Sequence, residues 1–147
     1  MIDNFERLYL GVSSIYKDIQ RIKKSEMDFF GLRGKHVMPF YFLLNHPEGL
    51  TSTQLSHLCN ADKAGISRAL SEMEQEGYVI FEGSARKRYR TLVFLTESGR
   101  EKARQIRHII LQLTLEGGQE ISPEEREIFY HVLGLITENL NQICREY

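Results

Sequence analysis

Phe5, Leu8, Val12, Ile15, Ile19 and Ile22 fall alternately three and four residues apart. That spacing puts them on one face of a helix, predicted from about Asn4 to Phe30. A lone helix cannot bury such a stripe, so this one needs a second helix, in the same chain or in a partner. Gly31 and Gly34 end it. A second helix is predicted over about Lys35 to Asn45. Pro39 is tolerated there if it falls within the first turn and bends the helix otherwise. His46-Pro47-Glu48-Gly49 closes this element.

The middle of the chain is punctuated by capping residues. Thr51-Ser52-Thr53-Gln54 has the form of a capping box. It opens a short helix, about Ser52 to Cys59, that turns Leu55 and Leu58 inward. Asn60-Ala61-Asp62 is a turn ending in a good N-cap. The next helix runs from about Lys63 to Gln75, with Ile66, Leu70 and Met73 on its apolar face, and Gly77 stops it as a left-handed cap. Tyr78–Glu82 and Arg88–Leu95 read as two strands of a hairpin whose turn is Gly83-Ser84-Ala85-Arg86-Lys87. In the second strand Tyr89, Thr91, Val93 and Leu95 alternate with Arg90, Leu92 and Phe94.

Two long helices follow. Thr96 caps one that reaches about Leu115, and Gly117-Gly118 breaks it. Ser122-Pro123-Glu124-Glu125 is a strong start for the last, with a Ser cap, Pro at the first position and acids near the positive end. It runs to about Arg145 and carries Ile128, Val132, Leu135, Ile136, Leu140 and Ile143. The expected fold is mainly α, with six helices and a small β-hairpin wing.

Composition narrows the picture. The 147 residues are 41% hydrophobic and 27% charged, a globular balance. No apolar run approaches the roughly 18–20 residues that span a bilayer. The acidic opening Met1-Ile2-Asp3-Asn4-Phe5-Glu6 lacks a basic-then-apolar signal. A cytoplasmic protein with no membrane partner is therefore expected. The net charge of -1 conceals a local cluster, Arg86, Lys87, Arg88 and Arg90, which makes a positive field of its own.

A short helix, a tight turn, a second helix and a basic hairpin have the spacing of a helix-turn-helix whose second helix enters the DNA major groove. The leading residues of that helix are Lys63, Ala64, Gly65, Ser67 and Arg68. Ala64 and Gly65 are small and admit close approach. Ser67 can bond phosphate or base, and Arg68 can chelate guanine or grip phosphate. The bland reading of Arg68 is a solvated charge or an i, i+4 pair with Glu72. Thr53, on the preceding helix, joins the expected DNA-contacting set. The hairpin arginines would lie on the adjacent backbone or minor groove.

Three segments carry a resemblance: Asp62-Lys63-Ala64-Gly65-Ile66-Ser67-Arg68-Ala69-Leu70, Glu76-Gly77-Tyr78-Val79 and Leu95-Thr96-Glu97-Ser98-Gly99. Together they resemble the signature of the MarR family of winged-helix transcription regulators. The resemblance extends along the whole chain in layout. It implies one domain over 1–147, with a DNA-binding winged lobe over 35–95 and dimerisation helices over 1–30 and 97–147. It implies a homodimer reading a pseudo-palindromic double-stranded operator, in agreement with the apolar stripes at both ends. One departure concerns the wing. Family wings often carry an Asp before an Arg that begins the returning strand; here those positions fall on Lys87 and Tyr89, so Arg88 or Arg90 is left to make the contact.

The resemblance further implies a pocket for a small aromatic or amphipathic effector. Its candidate lining is Phe29, Phe30, Arg33, His36, Met38, Phe40 and Tyr41. The expected function is a transcriptional regulator, more a repressor than an activator, released by that effector. Two alternatives stay open: a winged-helix protein-interaction module without specific DNA binding, and a metal-sensing regulator of the same fold.

Other chemistry is thin. His36, His46, His57, His108 and His131 show no pair at ligand spacing, so no metal and no cofactor is expected. Glu26, His36 and His108 are the sort of scattered set a zinc site would need. Cys59 and Cys144 fit no metal or redox spacing and read as reduced thiols. A redox switch would require a depressed thiol pKa. No GxSxG, Walker or GxGxxG motif occurs, and the chain is not expected to be an enzyme.

Overall fold

A computed structural model describes residues 3–29, 31, 34–83 and 90–147, with the side chain of Phe29 excepted. The described elements are α1 (Asn4–Phe29), a 3-10 turn (Gly34–His36), α2 (Val37–Asn45), α3 (Ser52–Leu58) and α4 (Lys63–Gln75). Then come β1 (Val79–Glu82), β2 (Leu92–Leu95), α5 (Glu97–Gly117) and α6 (Pro123–Cys144). The expected set of six helices and a two-stranded antiparallel wing is present. The chain divides into two compact units, Met1–Ile109 and Ile110–Tyr147.

The core of the first unit comes from α2, α3, α4, the wing and the start of α5. Phe40, Leu55, Leu70, Met73, Val93 and Ile106 are wholly enclosed. Pro39 is the third residue of α2, within the first turn. Its missing N–H falls among donors that have no intrahelical partner, so the helix stays regular. The Phe40 ring meets Tyr78 edge-on, with centroids 5.3 Å apart. Among the described side chains of α1, only Met27 is buried outright. Phe5, Leu8, Val12, Ile15 and Ile19 remain exposed.

The predicted caps form. Thr51 Oγ1 accepts from the Gln54 N–H at 3.1 Å, and the Gln54 side chain accepts from the Thr51 N–H at 2.9 Å. Asp62 Oδ1 accepts from the Gly65 N–H at 3.0 Å. The α3 reading needs one correction: Leu55 is buried, but Leu58 is 40% exposed. Leu58 is the last residue of a seven-residue helix, where the chain has already begun to turn away from the core.

The wing is shorter than the alternation predicted. At the end of α4, the Tyr78 N–H reaches back to the Met73 carbonyl at 2.8 Å and the Gly77 N–H to that of Glu74 at 3.0 Å. Gly77 has φ +79°. This is a Schellman termination. It spends the Tyr78 amide on α4, so β1 begins at Val79 rather than Tyr78. The ladder pairs Val79 with Leu95 and Glu82 with Leu92. Arg90 and Thr91 lie before β2, and the expected strand positions Arg88 and Tyr89 are outside the described residues. Leu50 adds a bridge to Val93, with N–H···O distances of 3.2 and 2.7 Å. The α2–α3 connection is thereby sewn to the wing.

Thr96 caps α5 and anchors α4 together. Its hydroxyl donates to the Gly77 carbonyl at 2.6 Å and accepts from the Gly99 N–H at 3.0 Å. Arg100 then clamps the junction, donating to the Leu95 carbonyl at 3.1 Å and to Glu97. In the second unit, Ser122 and Glu125 form a reciprocal capping box with Pro123 at the first position of α6. These bonds from the Ser122 backbone and side chain hold the Glu125 carboxyl below its usual range. No residue of α6 is buried; Ile128, Leu135, Leu140 and Ile143 are among its exposed apolar side chains.

Candidate nucleic-acid interface

Helix α4 is two-faced. Ile66, Ala69, Leu70 and Met73 are buried, whereas Lys63, Ala64, Ser67 and Arg68 are exposed along its leading half. The division follows from the 3.6-residue period. The core takes one stripe, and the N-terminal end of the other carries two cations and two small residues. Gly65 is half-buried. A Cβ there would come within 2.5 Å of Asp62 Oδ1, so glycine is what lets the cap and the helix start coexist. Thr53 is half-buried on α3, and its carbonyl accepts from the buried Ser56 hydroxyl at 2.7 Å.

The i, i+4 pair of Arg68 with Glu72 does not form among the described residues. Glu72, its i+4 neighbour, turns to Lys35 Nζ and His36 Nε2, each at 2.9 Å. Arg68 therefore stays exposed on the outer face of α4. Arg90 is exposed beside the wing, and Arg86, Lys87 and Arg88 lie outside the described residues.

Of the effector-pocket set, His36, Met38, Phe40 and Tyr41 are described. Phe40 lies in the core, fully enclosed against Tyr78, and His36 is 1% exposed and engaged by Glu72. Tyr41 is half-buried and packs edge-on against Phe42 at 5.5 Å. The Phe29 side chain, Phe30 and Arg33 lie outside the described residues. Met38 borders a cavity of about 250 Å³ with Lys23, Lys35, Cys59, Ile66 and Arg68. Lys23, Lys35 and Cys59 were missed because their shared space joins segments distant in sequence.

Neither thiol stands in a metal group. Among the described residues, no set of three or more His, Cys, Asp or Glu side chains converges. Burial pushes the Cys59 thiol up to about 11, opposed in part by the positive charge of Lys23. Cys144 is exposed. No described helix is long and apolar enough to cross a membrane.

The stacked α3–α4 pair, followed by a paired hairpin and closed by α5, defines a winged helix-turn-helix protein. Residues 30–88 match the model of the MarR family. The HTH-type transcriptional regulator YdgJ of Bacillus subtilis (strain 168) is 30% identical over 101 residues. That match covers 69% of this chain and 62% of the relative, so it spans less than two thirds of the relative's length. NMB1585, a MarR family regulator from Neisseria meningitidis, has the same fold, with a TM-score of 0.84 at 13% identity over 99% of both chains. The MepR–DNA complex of S. aureus gives 0.77 at 16% identity, over 94% of this chain and 96% of that one. The chain is similar to the MarR family over residues 30–88 and shares the fold of its members over nearly its whole length.

Proposed function

We propose that this protein is a cytoplasmic, homodimeric, sequence-specific DNA-binding repressor that a small effector releases from its operator. The observation that carries this reading is the exposed leading face of α4, with Lys63, Ala64, Ser67 and Arg68 outward and the opposite face locked in the core. An α-helix presented in this way fits the major groove, and its first residues reach base edges. Arg90 is exposed just before β2, and Arg86, Lys87 and Arg88 add positive charge next to it in sequence. The structural relative MepR was solved bound to DNA, which supports the same use here.

The dimer reading rests on two apolar helix faces. α1 exposes Phe5, Val12 and Ile15, and α6 exposes Ile128, Leu135 and Leu140. Exposed apolar area on this scale marks an association surface. A two-fold dimer presents two recognition helices and predicts a two-fold operator. The domain assignment follows: residues 35–95 read DNA, and residues 1–30 and 97–147 join the subunits.

Fluorescence anisotropy with the DNA upstream of the protein's own gene, against scrambled DNA at several salt concentrations, tests the reading. Two subunits per site and a steep loss of affinity with salt are expected, because phosphate contacts release counterions. Should binding be weak and equal for both DNAs, random-site selection decides. A recovered palindrome supports the repressor, and no enrichment overturns it in favour of a protein-interaction module.

A further inference from the structure

Glu72 stands among three nitrogen donors. Its Oε1 takes Lys35 Nζ and its Oε2 takes His36 Nε2, each at 2.9 Å. Arg68, one turn earlier on α4, is the third, because residues four apart on a helix are neighbours. Lys35 and Arg68 line the same cavity, so the two chains share one space beside α4. Arg68 nevertheless makes no ion pair among the described residues. Its Nη2 lies 4.0 Å from where a Cβ would stand at Gly65, towards the start of α4 and away from Glu72.

The two holds on Glu72 differ. His36 is buried, so Oε2 is anchored in the interior. Lys35 is exposed, so Oε1 is held at the surface by one flexible ammonium. A carboxylate has two oxygens and only accepts. With Oε2 fixed, Oε1 is the atom for which Lys35 and Arg68 compete. Without the ammonium, the i, i+4 guanidinium is the cation in position to take it.

We propose that Lys35 is a positioning residue for DNA binding: it holds Glu72 Oε1 while His36 anchors Oε2, and so keeps the carboxylate off Arg68. This inference rests on the reading of α4 as the recognition helix, and it assigns a role to a residue outside that helix. A guanidinium paired with Glu72 has its planar fork of donors turned from a base or phosphate, and DNA must first break the pair. An exposed i, i+4 pair favours the bonded form by about twofold. That leaves about a third of the helices competent, hence about threefold weaker binding for each half-site and about tenfold for a site of two.

Anisotropy on the operator tests this as a set of double-mutant cycles with the full chain. Lys35→Met should weaken binding about tenfold, and Lys35→Arg, which can still hold Oε1, should not. In the Glu72→Gln background no carboxylate is left to pair, and there Lys35→Met should change affinity by less than about twofold. The same is expected in the Arg68→Ala background, where no guanidinium is left to capture. An equal loss in every background means that Lys35 touches DNA itself, and overturns the proposal. So does a Lys35→Met affinity equal to wild type. A loss that survives Arg68→Ala but not Glu72→Gln means that Glu72 repels DNA directly, and overturns the route through Arg68. Phenylglyoxal labelling of Arg68, followed by peptide mass spectrometry, needs no DNA. Lys35→Met should slow it about threefold, and adding Glu72→Gln should restore it. If no DNA binds under any condition, the recognition-helix reading fails, while the labelling still decides the exchange at Oε1: an unchanged rate overturns it.

Discussion

His36 Nε2 lies 2.9 Å from Glu72 Oε2, joining the turn before α2 to the middle of α4 across 36 residues of sequence. His36 is 1% exposed, and its Nδ1 has no hydrogen-bond partner among the described residues. Because a carboxylate only accepts, Nε2 donates its proton in this bond. Glu72→Ala removes the carboxylate partner of a buried imidazole and is expected to destabilise by about 1–3 kcal/mol. Glu72→Gln keeps an acceptor and should cost less. Urea midpoints measure both. A Glu72→Ala midpoint equal to wild type would show that the bond contributes nothing net.

Arg68→Ala is expected to cost about 1–3 kcal/mol of operator affinity and to relax the base preference at one position of each half-site. If Arg68 grips only phosphate, the loss will be uniform across sequences and the salt slope will fall by about one. Anisotropy titrations on the operator and on single-base variants separate the two. Unchanged affinity and preference would remove Arg68 from the contact set.

Gly99 sits where α5 passes the end of α4, and a Cβ there would collide with the Tyr78 carbonyl oxygen. That oxygen accepts from the Thr96 N–H at 2.9 Å and belongs to the backbone, so it cannot swing aside. Gly99→Ala should lower stability by about 1–3 kcal/mol, the usual range for overpacking, despite alanine's higher helix propensity. Thermal melts beside Gly117→Ala, which meets nothing within 4 Å, provide the contrast. Equal melting of the two variants would refute the close approach.

The two thiols should react differently. Burial pushes Cys59 up to about 11, so almost none is thiolate at neutral pH, and the thiolate is the nucleophile. Cys144 is exposed and should be alkylated first by iodoacetamide at pH 7.5, as peptide mass spectrometry would report. The sign for stability follows from the raised value. The neutral thiol is the form the fold favours, so its contribution is intact below the unfolded value near 9 and fades as pH climbs toward 11. Faster labelling of Cys59 than of Cys144 would overturn this assignment.

Charges placed in the exposed apolar faces should separate the subunits. Ile15→Glu on α1 and Leu135→Glu on α6 each put a carboxylate where the dimer reading has apolar contact; both positions are about half exposed in the single chain. Light scattering should give twice 17.2 kDa for the wild type and 17.2 kDa for the double variant. A double variant that remains a dimer would move the interface elsewhere.

What the sequence determined by itself is local. Thr51, Asp62, Thr96 and Ser122 each cap the helix they precede, because a cap bond closes within three residues and depends on little beyond them. The two faces of α4 were legible for the same reason, since a 3.6-residue period is a property of a short stretch. The first strand residue was not. Whether the Tyr78 amide joins the wing or the end of α4 depends on which closes first, and the left-handed turn at Gly77 gives it to α4. Tertiary structure alone decided that Glu72 serves Lys35 and His36 rather than Arg68, that Leu50 pairs with Val93, and that Phe40 is core while Lys23 reaches a cavity beside Arg68. Each of these joins residues more than 30 positions apart, and such pairings are settled by how the buried stripes pack together, which no local pattern records.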